Sequence, residues 1–136
     1  MKKLFIDTNI VLDLLGQRVP FYQDAAMLFS LADRKEVKLY VSSLSFANAN
    51  YILSKLKSKE EARAILTRFK VLVEVLALDD KILELSLNDD AFSDFEDGLQ
   101  YYTALENESD VIITRNLRDF KTSAIPVMTA GQYLQK

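Results

Sequence analysis

Leu4-Phe5-Ile6-Asp7-Thr8-Asn9 is the stretch whose reading decides the fold. Consecutive apolar residues run straight into an acid, a hydroxyl and an amide. An apolar run this short, without polar alternation, reads as a strand buried on both faces, spanning residues 3–7. Such strands belong to parallel sheets, where ligands gather just beyond the carboxyl ends of the strands. The same few residues thus predict an architecture and point at a site.

Working outward, Val37 to Ser42 reads as a second strand. Val71 to Leu78, rich in β-branched residues, reads as a third, Val111 to Thr114 as a fourth and Pro126 to Thr129 as a short fifth. Helical spacing fills the intervals. Phe21, Ala25, Leu28, Phe29 and Ala32 mark a helix over 21–33, with Pro20 just before it. Further helices are predicted at 44–56, 58–69, 79–87, 93 to 107 and 130–134. Ser58 with Glu61, and Ser93 with Glu96, carry capping-box signatures. Strand–helix alternation predicts an α/β fold with a mainly parallel sheet covered on both faces. With no internal repeat or low-complexity linker, one domain over residues 1–136 is expected.

Composition narrows the chemistry. Hydrophobic residues make up 49% and charged ones 27%, the balance of a globular chain able to bury a core. There is no cysteine, which excludes disulfides, thiolate nucleophiles and thiolate zinc sites, and no histidine, which excludes the commonest general acid–base. With only Gly16, Gly98 and Gly131, a glycine-rich phosphate loop cannot be built. Carboxylate chemistry with a hard divalent cation remains. No apolar run is long enough to span a bilayer, and Met1-Lys2-Lys3 reaches Asp7 before a signal-peptide core can form, so no membrane association and a cytoplasmic location are expected.

The net charge of −3 is divided unevenly. Lys55 to Lys70 holds six basic residues against two acids, whereas Asp79 to Asp97 holds eight acids against one base. Solvated helix faces account for many of these charges. The division also offers one surface to polyanions and another to cations.

The strand ends supply the candidates. Asp7, Thr8 and Asn9 follow the first strand, Ser42 and Ser43 the second, and Thr114, Arg115 and Asn116, then Asp119, the fourth. Asp7 reads equally as a helix N-cap and as a ligand. Asp94 and Asp97 share a face of the helix opening near Ser93. Asp94 and Glu96 read as dipole-favouring first-turn acids, and Asp97 as a ligand with Gly98 leaving room beside it and Tyr101 one turn along its face. Asn48 stands on an apolar stripe with Leu44, Tyr51 and Ile52, so its amide needs a partner, structural or in the pocket of Asp7. Arg115, Arg118 and Lys121 bring positive charge suited to a phosphodiester, although a polar turn capped by Asn or Asp accounts for this segment too.

Read together, these motifs resemble the PIN-domain family. Leu4 to Asn9 resembles its opening and Asp94-Phe95-Glu96-Asp97-Gly98-Leu99-Gln100 its central acidic helix start. Asp110 to Asn116 with Asp119-Phe120 resembles its late strand and loop, and Pro126 to Thr129 its closing strand. The resemblance implies a three-layer α/β/α sandwich with a five-stranded parallel sheet. It also implies Mg²⁺- or Mn²⁺-dependent cleavage of single-stranded or structured RNA by metal-activated water, leaving a 5′-phosphate and a 3′-hydroxyl. Many bacterial members of one domain are toxins of type II toxin–antitoxin pairs, often homodimers silenced by an antitoxin. By position, Asp7 and Asp97 become metal ligands and catalytic acids, with Asp119 a third. Thr8, Asn9, Asn48, Asp94, Thr114 and Asn116 become their supports, and Arg115 and Arg118 substrate contacts. Asn48 and Asn116 are departures, since many members carry acids there. Two other readings remain: a PIN fold that keeps RNA or protein binding with weakened chemistry, and aspartyl phosphotransfer on Asp7, against which Asn9 stands where a second acid would be needed.

Overall fold

Alternation along three central strands fixes the position of the core. In the computed structural model, which describes residues 1–135, β1 (Lys2–Ile6) is buried from Leu4 onward, β2 (Val37–Ser42) everywhere but Lys38, and β4 (Val111–Ile113) throughout. Lys136, the last residue of the expected domain span, lies outside the described residues. Leu4, Ile6, Val37, Leu39, Val41, Val111 and Ile113 face one cluster, and Phe5, Tyr40 and Ile112 face the other. The two-residue period of a strand makes this division, and burial on both sides explains the unbroken apolar sequence.

The first cluster is closed by α1 (Thr8–Leu15), α2 (Tyr22–Asp33), α3 (Ser43–Leu56), α4 (Lys59–Phe69) and α7 (Ala130–Leu134). The second is closed by α6 (Phe95–Glu106), with Phe92, Phe120 and Ile125, and α5 (Asp80–Leu87) packs on α6. With β3 (Glu74–Leu76) and β5 (Val127–Met128) the sheet runs β3-β2-β1-β4-β5, and every pairing is parallel. This is the expected three-layer sandwich. Among the described residues no helix is long and apolar enough to cross a membrane.

Two local expectations need correction. The run Val71 to Leu78 yields only a three-residue edge strand, because α4 passes into a 3-10 turn over Lys70–Leu72 and Val71 is left 85% exposed. An edge strand pairs on one side only, so β-branched residues beyond the ladder gain nothing from strand geometry. The Ser93–Glu96 capping box does not form. Asp94 caps α6 instead, its Oδ1 accepting from the Glu96 backbone N–H at 2.8 Å. A carboxylate one residue later is the stronger acceptor at a positive helix end. Ser58 does cap α4, accepting from the Glu61 N–H, while the full reciprocal box closes at Thr129 and Gln132.

Phe5 is fully buried beneath α6. Phe5→Ala is expected to cost about 3–5 kcal/mol of folding stability, measurable as a lowered urea midpoint.

Candidate active site

The chain runs from β1 outward through β2 to β3, then returns to the other side of β1 with β4. This reversal opens a crevice between the carboxyl ends of β1 and β4, where Asp7 and Thr114 stand. The Asp7 backbone N–H continues the ladder to the Ile113 carbonyl at 3.0 Å. Its side chain is buried, and donors converge on both oxygens. Oδ1 accepts from the Thr8 N–H at 2.8 Å and from Gln100 Nε2 at 3.1 Å; Oδ2 accepts from the Thr114 hydroxyl at 2.8 Å and more distantly from Asn9 Nδ2 at 3.4 Å. The cap and the candidate ligand are therefore one carboxylate. Burial pushes the Asp7 pKa up; the bonds from Thr114, Gln100 and Thr8 oppose that rise without cancelling it.

Gln100 holds this network together. It is buried on α6, its Oε1 accepting from the Ser42 hydroxyl at 2.6 Å and its Nε2 donating to Ser45 Oγ at 2.8 Å as well as to Asp7. Thr8 Oγ1 and Ser45 Oγ lie 2.6 Å apart, so α1, α3 and α6 meet at hydrogen-bonding distance. Sequence reasoning passed over Gln100 and Ser45. The available signal was the three-residue spacing from Asp97 to Gln100, which puts both on one helix face. Tyr101 does not share that face. It packs among Phe92, Phe120 and Phe5, its hydroxyl accepting from the Ala124 N–H. Gly98 packs against Phe92, which a Cβ at this position would meet at 3.6 Å.

A cleft of about 420 Å³ opens above Asp7, lined among others by Thr8, Asn9, Asn48, Tyr51, Asp94, Glu96, Asp97 and Asn116. Asn48 faces this cleft, donating from Nδ2 to Glu96 Oε1 at 2.9 Å and so linking α3 to α6. Asn116 also lines it, its backbone N–H donating to Thr114 Oγ1. Asp119 sits outside, in an adjoining depression shared with Arg118, on the 3-10 turn Leu117–Phe120. Its charge still reaches inward, raising the pKa values of both Asp7 and Asp97. The Asp97 carboxyl is pushed up to about 7, first by burial and then by the charges of Asp94, Asp7, Asp119 and Glu96.

Arg115 proves to be tied down. Its Nε and NH2 donate to Asp13 at 2.8 and 3.2 Å, and its guanidinium lies 3.9 Å from the centre of the Phe21 ring. Asp13, only 1% exposed, also accepts from Arg18 Nε at 3.0 Å. A buried carboxylate needs such partners. Asp13 sits mid-helix in an apolar run, a position that sequence reasoning left unexplained. Arg18 and Arg115 still line the cleft, so their charge borders it with fixed geometry.

The donor set suits a hard divalent cation. Carboxylate and amide oxygens surround the opening, and the neighbouring carboxylates raise the pKa of Asp97, a repulsion that a cation relieves. Among the described residues no three acids stand close enough to form a closed cage. The arrangement fits one ion held by few carboxylates with its other positions hydrated, as Mg²⁺ prefers.

A wound, all-parallel sheet with an acidic cleft at its switch point defines a class of α/β proteins, and comparison with known proteins supplies the family. The PIN-domain family profile matches residues 3–118. The chain belongs to the PIN-domain family. It is 25% identical over 138 aligned residues to Ribonuclease VapC1 of Aquifex aeolicus, covering 99% of this chain and 95% of that protein. Among solved structures it resembles DNA-bound VapBC from Salmonella typhimurium at 19% identity, with a TM-score of 0.72, covering 96% of this chain and 99% of that one. It also resembles VapBC-1 from nontypeable Haemophilus influenzae at 19% identity and a TM-score of 0.70, covering 95% and 98%. These structural likenesses concern the fold.

Asp97 makes stability depend on pH. An acid whose pKa is higher in the folded protein than in the unfolded chain opposes folding once ionised. The penalty is absent below its ordinary value of 3.8 and complete above about 7. In chelator, Asp97→Asn is expected to melt above the parent protein at pH 8, the gap closing towards pH 4. Thermal denaturation across that range checks it; a gap independent of pH would contradict the assignment.

Proposed function

We propose that this chain is a metal-dependent ribonuclease, the toxin of a type II toxin–antitoxin pair, working in the cytoplasm as a homodimer of single-domain chains. The observation that carries the reading is the pair of carboxylates, Asp7 and Asp97, in the cleft at the topological switch point. The likeness to a protein named Ribonuclease VapC1 supports the activity, and the likeness to VapBC complexes supports an antitoxin partner.

In this reading Asp7 and Asp97 hold Mg²⁺ or Mn²⁺, with Asp119 contributing charge from the rim. The ion would supply Lewis-acid polarisation of the phosphodiester and an acidified water, leaving a 5′-phosphate and a 3′-hydroxyl. The chain's own residues set the stage. Thr8, Asn9, Thr114 and Gln100 hold the Asp7 carboxylate in one orientation. Asn48 holds Glu96 against the mouth of the cleft, and Asp94 fixes the start of the helix that presents Asp97. Asn116 lines the rim. Arg115, locked to Asp13, gives the substrate backbone a fixed cation, and Arg118 an exposed one.

A second reading, a binding module with weakened chemistry, draws on the amides Asn48 and Asn116. One experiment separates the two. Cleavage of RNA with Mn²⁺ is expected to fall by at least about 100-fold in Asp7→Asn and Asp97→Asn, a loss comparable to removing a group that stabilises transition-state charge. Calorimetry should show Mn²⁺ binding to the parent and weaker binding to both variants. Unchanged cleavage in both would sink the site assignment. RNA binding without cleavage, together with no Mn²⁺ binding, would establish the second reading.

A further inference from the structure

The α3 wall of the cleft carries residues that the carboxylate chemistry does not use. Asn48, Tyr51 and Ile52 line it, and Lys55 stands one turn beyond Tyr51 on the same face. Tyr51 is 63% exposed, a large ring left in water at the mouth of the cleft. The Lys55 ammonium donates to its phenol oxygen at 2.7 Å and lies 4.3 Å from the ring centre. Neither side chain serves the core. The pair presents a π-face and a positive charge side by side, next to the acids.

We infer that Tyr51 and Lys55 form a nucleotide platform beside the acids, one unpaired base of the RNA stacking on the ring while an adjacent phosphate meets the ammonium. This rests on the ribonuclease reading and adds to it two side chains that hold the substrate. Two arguments favour RNA as the occupant. The first is charge. Asp94, Glu96 and Asp97 repel a phosphate backbone, so a strand reaching Asp7 needs cations at the rim. Lys55 supplies one on α3, and Lys57 and Lys59 continue the positive charge into the start of α4. Arg115 supplies another on the segment following β4. The second is the nature of the contact. Every base has a π-face, so an aromatic ring with a cation beside it grips single strands with little regard to sequence. A duplex hides those faces within its stack and offers the ring nothing.

Fluorescence anisotropy with a short labelled RNA, single-stranded or annealed to its complement, tests the platform in EDTA, where cleavage stalls. Tyr51→Ala is expected to weaken single-strand binding about 10-fold and to leave duplex binding unchanged. Tyr51→Phe should stay close to the parent. Lys55→Glu should weaken binding, and Lys55→Arg should restore it. With Mn²⁺, Tyr51→Ala should raise KM and spare kcat, a split that a folding defect would not give. Equal single-strand binding by parent and Tyr51→Ala overturns the platform, while cleavage by the parent keeps the ribonuclease reading intact. A parent that neither binds nor cuts RNA overturns both. If Tyr51→Ala leaves RNA binding untouched but abolishes binding of a co-expressed protein partner, the surface belongs to that partner and the platform is overturned.

Discussion

Asp7 follows three fully buried residues of the central strand, so its carboxylate enters the interior at the end of β1. A buried charge must be met by donors, and here they come from separate parts of the chain: the Thr8 backbone, the Thr114 hydroxyl after β4 and the Gln100 amide on α6. Each donor fixes a relation between elements. Thr114 registers β4 against β1, Thr8 starts α1, and Gln100 ties α6 through Ser42 and Ser45 to β2 and α3. The opposite faces of the sheet are packed by independent apolar clusters. At this end of the sheet, one polar network joins elements from both.

The same principle acts a second time, on α1. Asp13 lies further along α1 and is likewise buried, but it takes two arginines where Asp7 takes uncharged donors. The contrast matters for chemistry. A carboxylate paired with guanidinium has its charge answered by the protein. One held by hydroxyls and amides keeps its charge unanswered and attracts a cation. Asp13 thus removes two arginines from free competition for Asp7 and holds their charge at the cleft border.

The strands and most helices were legible because burial on both faces and helical spacing leave plain marks, as in Leu4-Phe5-Ile6 and in Ala25, Leu28 and Phe29. The strand-end rule also brought Asp7, Thr8, Asn9, Arg115 and Asn116 to one cleft, with Thr114 buried beneath it against Asp7. The failures have physical causes. Val71 looked like a strand residue because a propensity cannot say that a preceding helix overruns into the segment. Tyr101 was assigned to the face of Asp97 from a four-residue spacing, whereas Gln100, three residues on, is the one that turns inward. Both spacings are neighbours on a helix, and only packing chooses between them. Asp13 carries no signal of its own, since it matters through partners elsewhere in the sequence, and the one mark of Gln100 is its spacing from Asp97.

The amides at Asn48 and Asn116 acquire a meaning from this electrostatic balance. Asp97 already feels Asp94, Asp7, Asp119 and Glu96, and burial besides. Another carboxylate on α3, facing Glu96, would add repulsion exactly where Asn48 now donates a hydrogen bond to it. An amide there cannot add charge, but it can hold an existing carboxylate against the cleft. Of the four acids lining the cleft, Asp94 is engaged as a helix cap and Glu96 is held by Asn48, so under the proposed reading Asp7 and Asp97, with Asp119 at the rim, would suit a single hydrated ion better than a pair. The substitution that looks like a lost ligand in the sequence is, in the folded chain, a change in how a neighbouring carboxylate is held.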